Sequence, residues 1–161
     1  MLRKQLITKT EIAKMPGIAK THFLNDTAKW VNKSLGDVAG LDKFGFHIIE
    51  IPIGALSTEF HRHYIEEECV YILEGSGVAR IGNAVLQVKA GDFIGYPAGG
   101  EPHDLRNTGS SIMKLVVVGV RPAYDIVDYP KKKGKRMFRC AGRPHDMVDI
   151  AVLEHPEAGK K

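Results

Sequence analysis

Between residues 44 and 120 the sequence predicts an all-β fold, a sandwich or barrel, and three observations carry that expectation. Apolar segments are short and closely punctuated by turn residues: Gly75-Ser76-Gly77, Gly82-Asn83, Ala90-Gly91-Asp92 and Pro97-Ala98-Gly99-Gly100. Within the segments apolar side chains alternate or run continuously, with almost no helical period. Gly82-Asn83, set between Val78–Ile81 and Ala84–Val88, is a hairpin signal, because both central residues tolerate positive φ.

Taken in order, residues 1 to about 40 are polar and mixed and read as an N-terminal arm. Pro16-Gly17 breaks it, and Asn25-Asp26 offers a helix cap before Thr27-Ala28-Lys29-Trp30. From Phe44 to Ile53 both faces are apolar, as in a strand covered on both sides; His47 on such a face reads as a core histidine satisfied by a backbone partner. Cys69–Leu73, the Gly82-Asn83 hairpin, Phe93–Tyr96, His103–Asn107 and Met113–Val120 follow as strands. With 161 residues, 43% of them hydrophobic, the chain suits one domain that needs no disulfide support. The formal charge of +4 is concentrated in Lys131–Arg136, which reads as a solvated loop, with a phosphate contact or a lid as alternatives; no nucleic-acid site is expected there. Two cysteines and an N-terminus without a long apolar stretch make the cytoplasm the default location. The longest apolar run, Leu115–Val120, is far shorter than the ~20 residues that cross a bilayer, so no membrane role is expected.

The chemistry concentrates in Gly54–Gly75. Residues i and i+2 of a strand share a face, so His61 and His63 can present imidazole nitrogens to one point while Arg62 faces away. Glu68, directly before the Cys69–Leu73 run, is placed to share that geometry. Glu66 and Glu67 read as solvated turn residues, with Glu67 as an alternative ligand. Cys69 points away from Glu68 as a small apolar group.

This spacing resembles the first motif of the cupin superfamily, with Gly54, His61, His63, Glu68 and Gly75 in its places. Gly91, Pro97, Gly99, His103 and Asn107 match the second motif, except that three residues separate Gly99 from His103 where the common form has two. The resemblance implies a double-stranded β-helix, the cupin jelly roll, over residues 41–121, with residues 1–40 as an N-terminal arm and 122–161 as a C-terminal extension of the same domain. It adds His103 to His61, His63 and Glu68 as ligands of one divalent metal. Phrases outside the core, Phe23-Leu24-Asn25, Ser34–Asp37 and Asp128–Pro130, are similar to small single-domain bacterial cupins, some labelled sugar-phosphate isomerases.

Three imidazoles and one carboxylate suit Fe, Mn, Ni, Co, Cu or Zn; calcium prefers all-oxygen shells, and closed structural zinc sites usually use thiolates. Such a site leaves positions open, and its net charge of about +1 attracts an anionic or enediol-like oxygen pair. The expected function is a small metalloenzyme acting on a sugar-like or carboxylate small molecule, isomerase-like, with a metal-dependent dioxygenase or a non-catalytic small-molecule binding module as alternatives. Glu101, beside His103, or a tyrosine such as Tyr71 is expected to supply the catalytic base; Tyr71 and Tyr96 also read as packing residues. Exposed sheet edges and an arm without a core of its own point to a homodimer.

Overall fold

A computed structural model describes residues 4–132 and 134–154. The chain begins with a short helix, α1 (Lys9–Lys14), closed by a capping box in which the Glu11 carboxylate accepts the Thr8 N–H at 2.9 Å. Two antiparallel strands follow, β1 (Ile18–His22) and β2 (Asn25–Ser34). The helix cap expected at Asn25-Asp26 is corrected here. The Asn25 side chain does accept the Thr27 N–H at 2.9 Å, but at a hairpin turn, and the chain continues as strand. Trp30 and Val31, aromatic and β-branched, favour that choice because they pack onto a pleated surface. A short helix, α2 (Leu35–Ala39), ends at Gly40 in the left-handed conformation, with φ +79°.

The remaining strands are β3 (Phe44–Ile51), β4 (Arg62–His63), β5 (Glu68–Glu74), β6 (Ser76–Ile81), β7 (Ala84–Lys89), β8 (Phe93–Tyr96), β9 (His103–Asn107), β10 (Met113–Val120), β11 (Tyr124–Tyr129), β12 (Lys135–Cys140) and β13 (Asp146–Asp149). They form a six-stranded sheet ordered β1-β2-β3-β10-β5-β8, a three-stranded sheet β7-β6-β9 and a four-stranded sheet β13-β12-β11-β4, all antiparallel within each sheet. This is the expected all-β jelly roll. Gly82 takes φ +57° in the β6–β7 hairpin, as its turn requires. Gly77 is needed for a different reason: a Cβ there would collide with the Arg106 carbonyl of the neighbouring strand.

The core lies between the first two sheets. Ile49 and Ile51 of β3, Val70 and Ile72 of β5, Ile94 of β8, and Met113 and Leu115 of β10 meet Ala79, Val88 and Leu105 from the opposite sheet. Each large side chain removed from water there contributes roughly 1.5–3 kcal/mol. In β5 the alternation is plain: Val70 and Ile72 are buried, while Tyr71 and Leu73 are exposed on the outer face. Asn107, wholly buried at the end of β9, pins the neighbouring turn. Its amide donates to the carbonyls of Ile51 (2.9 Å) and Ser111 (2.8 Å), and its carbonyl oxygen accepts the Gly109 N–H at 3.0 Å.

Residues 122–154 wrap a second, smaller core of Val127, Tyr129 and Met137 against Leu24 and Met147. The basic run joining β11 to β12 is not the free solvated loop expected of it, as far as its described residues go; Lys133 lies outside them. The Lys131 ammonium stands 4.9 Å from the Phe60 ring centroid, and Lys132 lies 3.9 Å from the Glu59 carboxylate. Lys135 pairs with Asp149 at 2.5 Å and Arg136 with Asp128 at 2.7 Å. A hairpin turn that folds back over residues 59–60 gives each of these cations a local partner. No helix among the described residues is long and apolar enough to cross a membrane.

Candidate metal centre and substrate cavity

His61 and His103 lie side by side on neighbouring segments, joined by an antiparallel bridge. The His61 N–H donates to the His103 carbonyl at 3.1 Å, and the His103 N–H returns to the His61 carbonyl at 2.7 Å. His63 follows on the same face of the chain in β4, and Glu68 opens β5. Each imidazole is held by its Nδ1. That atom lies 2.8 Å from the Glu59 carbonyl in His61, 3.2 Å from the Glu101 carbonyl in His103, and 2.5 Å from the Asp125 carboxylate in His63. Carbonyl and carboxylate oxygens only accept, so in each ring Nδ1 is a donor, and a neutral ring so held turns the lone pair of its Nε2 the other way. The Tyr96 ring stacks flat on His103, with centroids 3.6 Å apart, and fixes its plane.

The consequence is electrostatic. The Nε2 atoms of His61 and His63 are 3.0 Å apart, and the His103 Nε2 is buried without a hydrogen-bond partner. With both rings neutral and donating from Nδ1, two lone pairs would face one another and repel unless a proton or a metal ion lay between them. Nitrogens bound to one metal ion at ~2.1 Å, at right angles about it, stand ~3.0 Å apart, which matches the observed spacing. Burial, aided by the neighbouring imidazoles His63 and His103, holds His61 well below its ordinary pKa, and burial brings His103 down to about 4. Both rings are therefore neutral at pH 7, as ligands must be. Burial also pushes the Glu68 carboxyl up to about 7, against the partial pull of His63. A divalent cation would offset that cost.

His61, His63, Glu68 and His103 do not all draw to ligand spacing. Among the described residues, the group of His, Cys, Asp and Glu whose ligand atoms all lie within 4.8 Å of one another is His63, Glu66 and Asp125. A His/Glu/Asp group that could hold a metal ion is thus present, on the Nδ1 side of His63. Its charges already have partners. Arg139 pairs with Glu66 at 2.8 Å, and the N–H groups of Ile65 and Glu66 donate to Asp125 at 3.0 and 3.4 Å. Burial works to raise the Asp125 carboxyl, but the hydrogen bond from His63 and those main-chain donors outweigh it and hold it below its ordinary range.

Several residues differ from their sequence expectation. Tyr71 is 45% exposed on the outer face of β5, opposite to Glu68, and borders neither cavity at the histidines, because alternation along the strand turns it away. Glu101 borders a small cleft with His63, Glu66, Glu68 and His103, and its main-chain carbonyl orients His103. Glu66 is no solvated turn residue, since it is half-buried and ion-paired, whereas Glu67 is exposed as expected. His47 has no backbone partner: its Nδ1 is buried and unpaired, and the ring borders a cavity ended by His61 and His103. Asp125 was missed altogether. Its one signal in the sequence is a carboxylate on the buried face of the apolar strand Tyr124–Tyr129.

A cavity of about 240 Å³ is bordered at one end by His61, Glu68 and His103. Its walls are apolar (Ile49, Val70, Leu105, Leu115 and Val117) with Ser57, Thr58, Asn32, His47, Trp30 and Lys20 adding polar and aromatic surface. The volume lies below the ~300 Å³ at which ordinary ligand pockets begin, which limits it to a small molecule.

The fold is a jelly roll whose six- and three-stranded sheets enclose a cavity ended by His61 and His103. The model of the cupin domain matches residues 47–119. The structure resembles that of a putative sugar phosphate isomerase from Acidithiobacillus ferrooxidans, with 42% identity, a TM-score of 0.92, and coverage of 96% of this chain and 98% of that one. The chain belongs to the cupin family. It also shares its fold with a sugar phosphate isomerase of the cupin superfamily from Silicibacter pomeroyi, at 23% identity and a TM-score of 0.74, over 87% of this chain and 90% of that one. An uncharacterized protein of Methanocaldococcus jannaschii is 38% identical over 72 residues, which is 45% of this chain and 56% of that protein.

Proposed function

We propose that this chain is a metal-dependent cupin that moves a proton between adjacent carbons of a small hydroxy-carbonyl compound, an isomerase of sugar-phosphate-like substrates. The observation that carries the reading is the pair of Nε2 atoms 3.0 Å apart beside the unpartnered His103 Nε2. His61, His63, His103 and Glu68 would hold the ion, with Asp125 behind His63. The alternative group on the Nδ1 side is disfavoured, because a 2.5 Å hydrogen bond between His63 and Asp125 leaves no room for an ion there. A divalent ion would supply stabilisation of negative charge on substrate oxygen.

The chain's own groups would do the rest. Leu115, Val117 and Trp30 exclude water from one side of the cavity, and the Ser57 and Thr58 hydroxyls are placed to bind substrate hydroxyls. Glu101, a residue of the cleft beside His103 whose exposed carboxylate rests against Gly82, would turn inward to act as proton carrier, a role the outward-facing Tyr71 cannot fill. The name of the Acidithiobacillus relative, which matches over nearly its whole length, supports the substrate class.

The test is turnover of a panel of aldose and ketose phosphates by protein loaded separately with zinc, manganese and iron. Zinc or manganese protein should isomerise without oxygen, and Glu101→Gln should slow the reaction while the metal stays bound. Oxygen uptake with loss of substrate by the iron form alone moves the assignment to a dioxygenase. Inactivity of every form leaves a binding module.

A further inference from the structure

The hairpin of β1 and β2 forms one wall of the cavity, so the stretch read from sequence as an arm contributes to the site. Lys20, Trp30 and Asn32 all come from it. Lys20 and Trp30 are partners across the hairpin, and Asn32 stands beside Ile49 of β3. Ser34, two residues on from Asn32, is the register partner of His47. Three features of this end are otherwise unexplained. Among the described residues Lys20 is the only lysine or arginine bordering the cavity, and it forms no ion pair with any of them. Asn32 is 8% exposed although polar. The His47 Nδ1 is buried with nothing to bond to.

The acidic groups bordering the cavity do not satisfy Lys20: Asp104 is paired with Arg80, and Glu68 belongs to the histidine end. Nor do the cations of the β11–β12 turn compete for a ligand here, since Lys132, Lys135 and Arg136 have carboxylate partners and none borders the cavity. Lys20 lies close enough to His47 for its charge to help hold that imidazole below its ordinary pKa, behind burial and Arg121 and against Asp37. The lysine and the imidazole border the same cavity.

We propose that Lys20, Asn32 and His47 form an oxyanion subsite that takes the phosphate or carboxylate of the substrate, with Lys20 at the mouth supplying the charge. This subsite rests on the function proposed above for the choice of substrate, and it is tested by binding alone. A charged group at the mouth and the reacting oxygens at the histidines would fix the direction in which a short chain enters. The hairpin would then select for anionic over neutral sugars.

The chain's single tryptophan, Trp30, sits across from Lys20 and serves as a built-in reporter. Metal-loaded protein is titrated with inorganic phosphate, and in parallel with acetate, following Trp30 emission. The expected result is a saturable change with one of the two ions, weakened about tenfold or more by Lys20→Gln and by His47→Phe, unchanged by Lys132→Gln, with metal content constant throughout. The stronger ion identifies the substrate's charged group. A wild-type protein with no saturable response, or a Lys20→Gln protein that responds as the wild type does, overturns the subsite. Lys20 is exposed in the middle of β1, so its substitution is expected to leave the fold intact. If the Lys20-dependent response holds but no metal form isomerises a sugar phosphate, the function proposed above fails and the subsite stands.

Discussion

Glu68→Gln offers a thermodynamic test of the metal centre that requires no substrate. Burial pushes the Glu68 carboxyl from its ordinary 4.5 to about 7 in the metal-free protein. Between those values the folded chain keeps a proton that the unfolded chain has released, so stability falls as pH rises through the interval and the loss is complete above about pH 7. The interval is 7 minus 4.5, and at ~1.4 kcal/mol per pH unit it comes to ~3 kcal/mol. The half-buried side chain keeps some solvent contact, which brings the expected effect to ~2 kcal/mol. His61 and His103, held down by burial, act in the opposite sense, destabilising the fold as pH falls below the ordinary histidine range. Their contribution is common to both proteins and cancels in the comparison. Urea melts in chelator should therefore show Glu68→Gln more stable than wild type by ~2 kcal/mol at pH 8, with the gap closing towards pH 4. Adding manganese or zinc should stabilise wild type more than the variant, because only the carboxylate can ligate as an anion. A variant no more stable than wild type at pH 8 without metal would refute the account of Glu68, and equal stabilisation of both proteins by metal would remove it from the centre.

Asp125→Asn should weaken metal binding by about 10–100-fold in a chelator competition, because His63 loses the carboxylate that fixes its ring; unchanged affinity would make the pair purely structural. Asn107→Ala strands two carbonyls and an N–H, and should cost about 3 kcal/mol in a denaturant melt while leaving metal stoichiometry intact. We also propose that the chain is a homodimer, with the outer face bearing Tyr71 (45% exposed) and Phe93 (66% exposed) as its contact. Light scattering that gives a mass near the 17.8 kDa monomer at micromolar concentration refutes it, and Phe93→Glu should shift a dimer towards monomer.

What was legible in the sequence was the part governed by local rules. Phe93–Tyr96, His103–Asn107 and Met113–Val120 stand as expected, because short apolar runs between glycine and proline turns have few other ways to fold. His61, His63 and Glu68 could be grouped because two-residue periodicity and one short turn connect them. Tyr71 shows the opposite lesson: the same periodicity, applied from Glu68, places it on the outer face. The hairpin of residues 18–34 was hidden because its outer side chains are polar and Asn25 makes the same hydrogen bond in a turn as at a helix cap. Asp125 was beyond local reasoning. It reaches His63 across 62 residues through the pairing of β11 with β4, where Val127 stands opposite His63, and no spacing in the chain encodes that register. His47 misled because an apolar strand suggests a filled interior, whereas the interior there is hollow.

The mutual hydrogen bonds between the backbones of His61 and His103 separate where a ligand sits from how the chain arrives there. Upstream, the loop is held again where the Gly99 N–H donates to the His63 carbonyl at 2.9 Å, and where the Gly82 N–H donates to the Pro102 carbonyl at 2.8 Å. Only Gly100 and Glu101 lie between these two clamps, and the extra residue relative to the common cupin spacing is absorbed near them without displacing His103. The segment is thus where added length is taken up while the strands on either side keep their register, provided that Glu101, whose carbonyl holds the His103 ring, keeps its place. For an engineer this marks the step between Gly99 and Gly100, ahead of Glu101, as the place to lengthen the rim of the barrel.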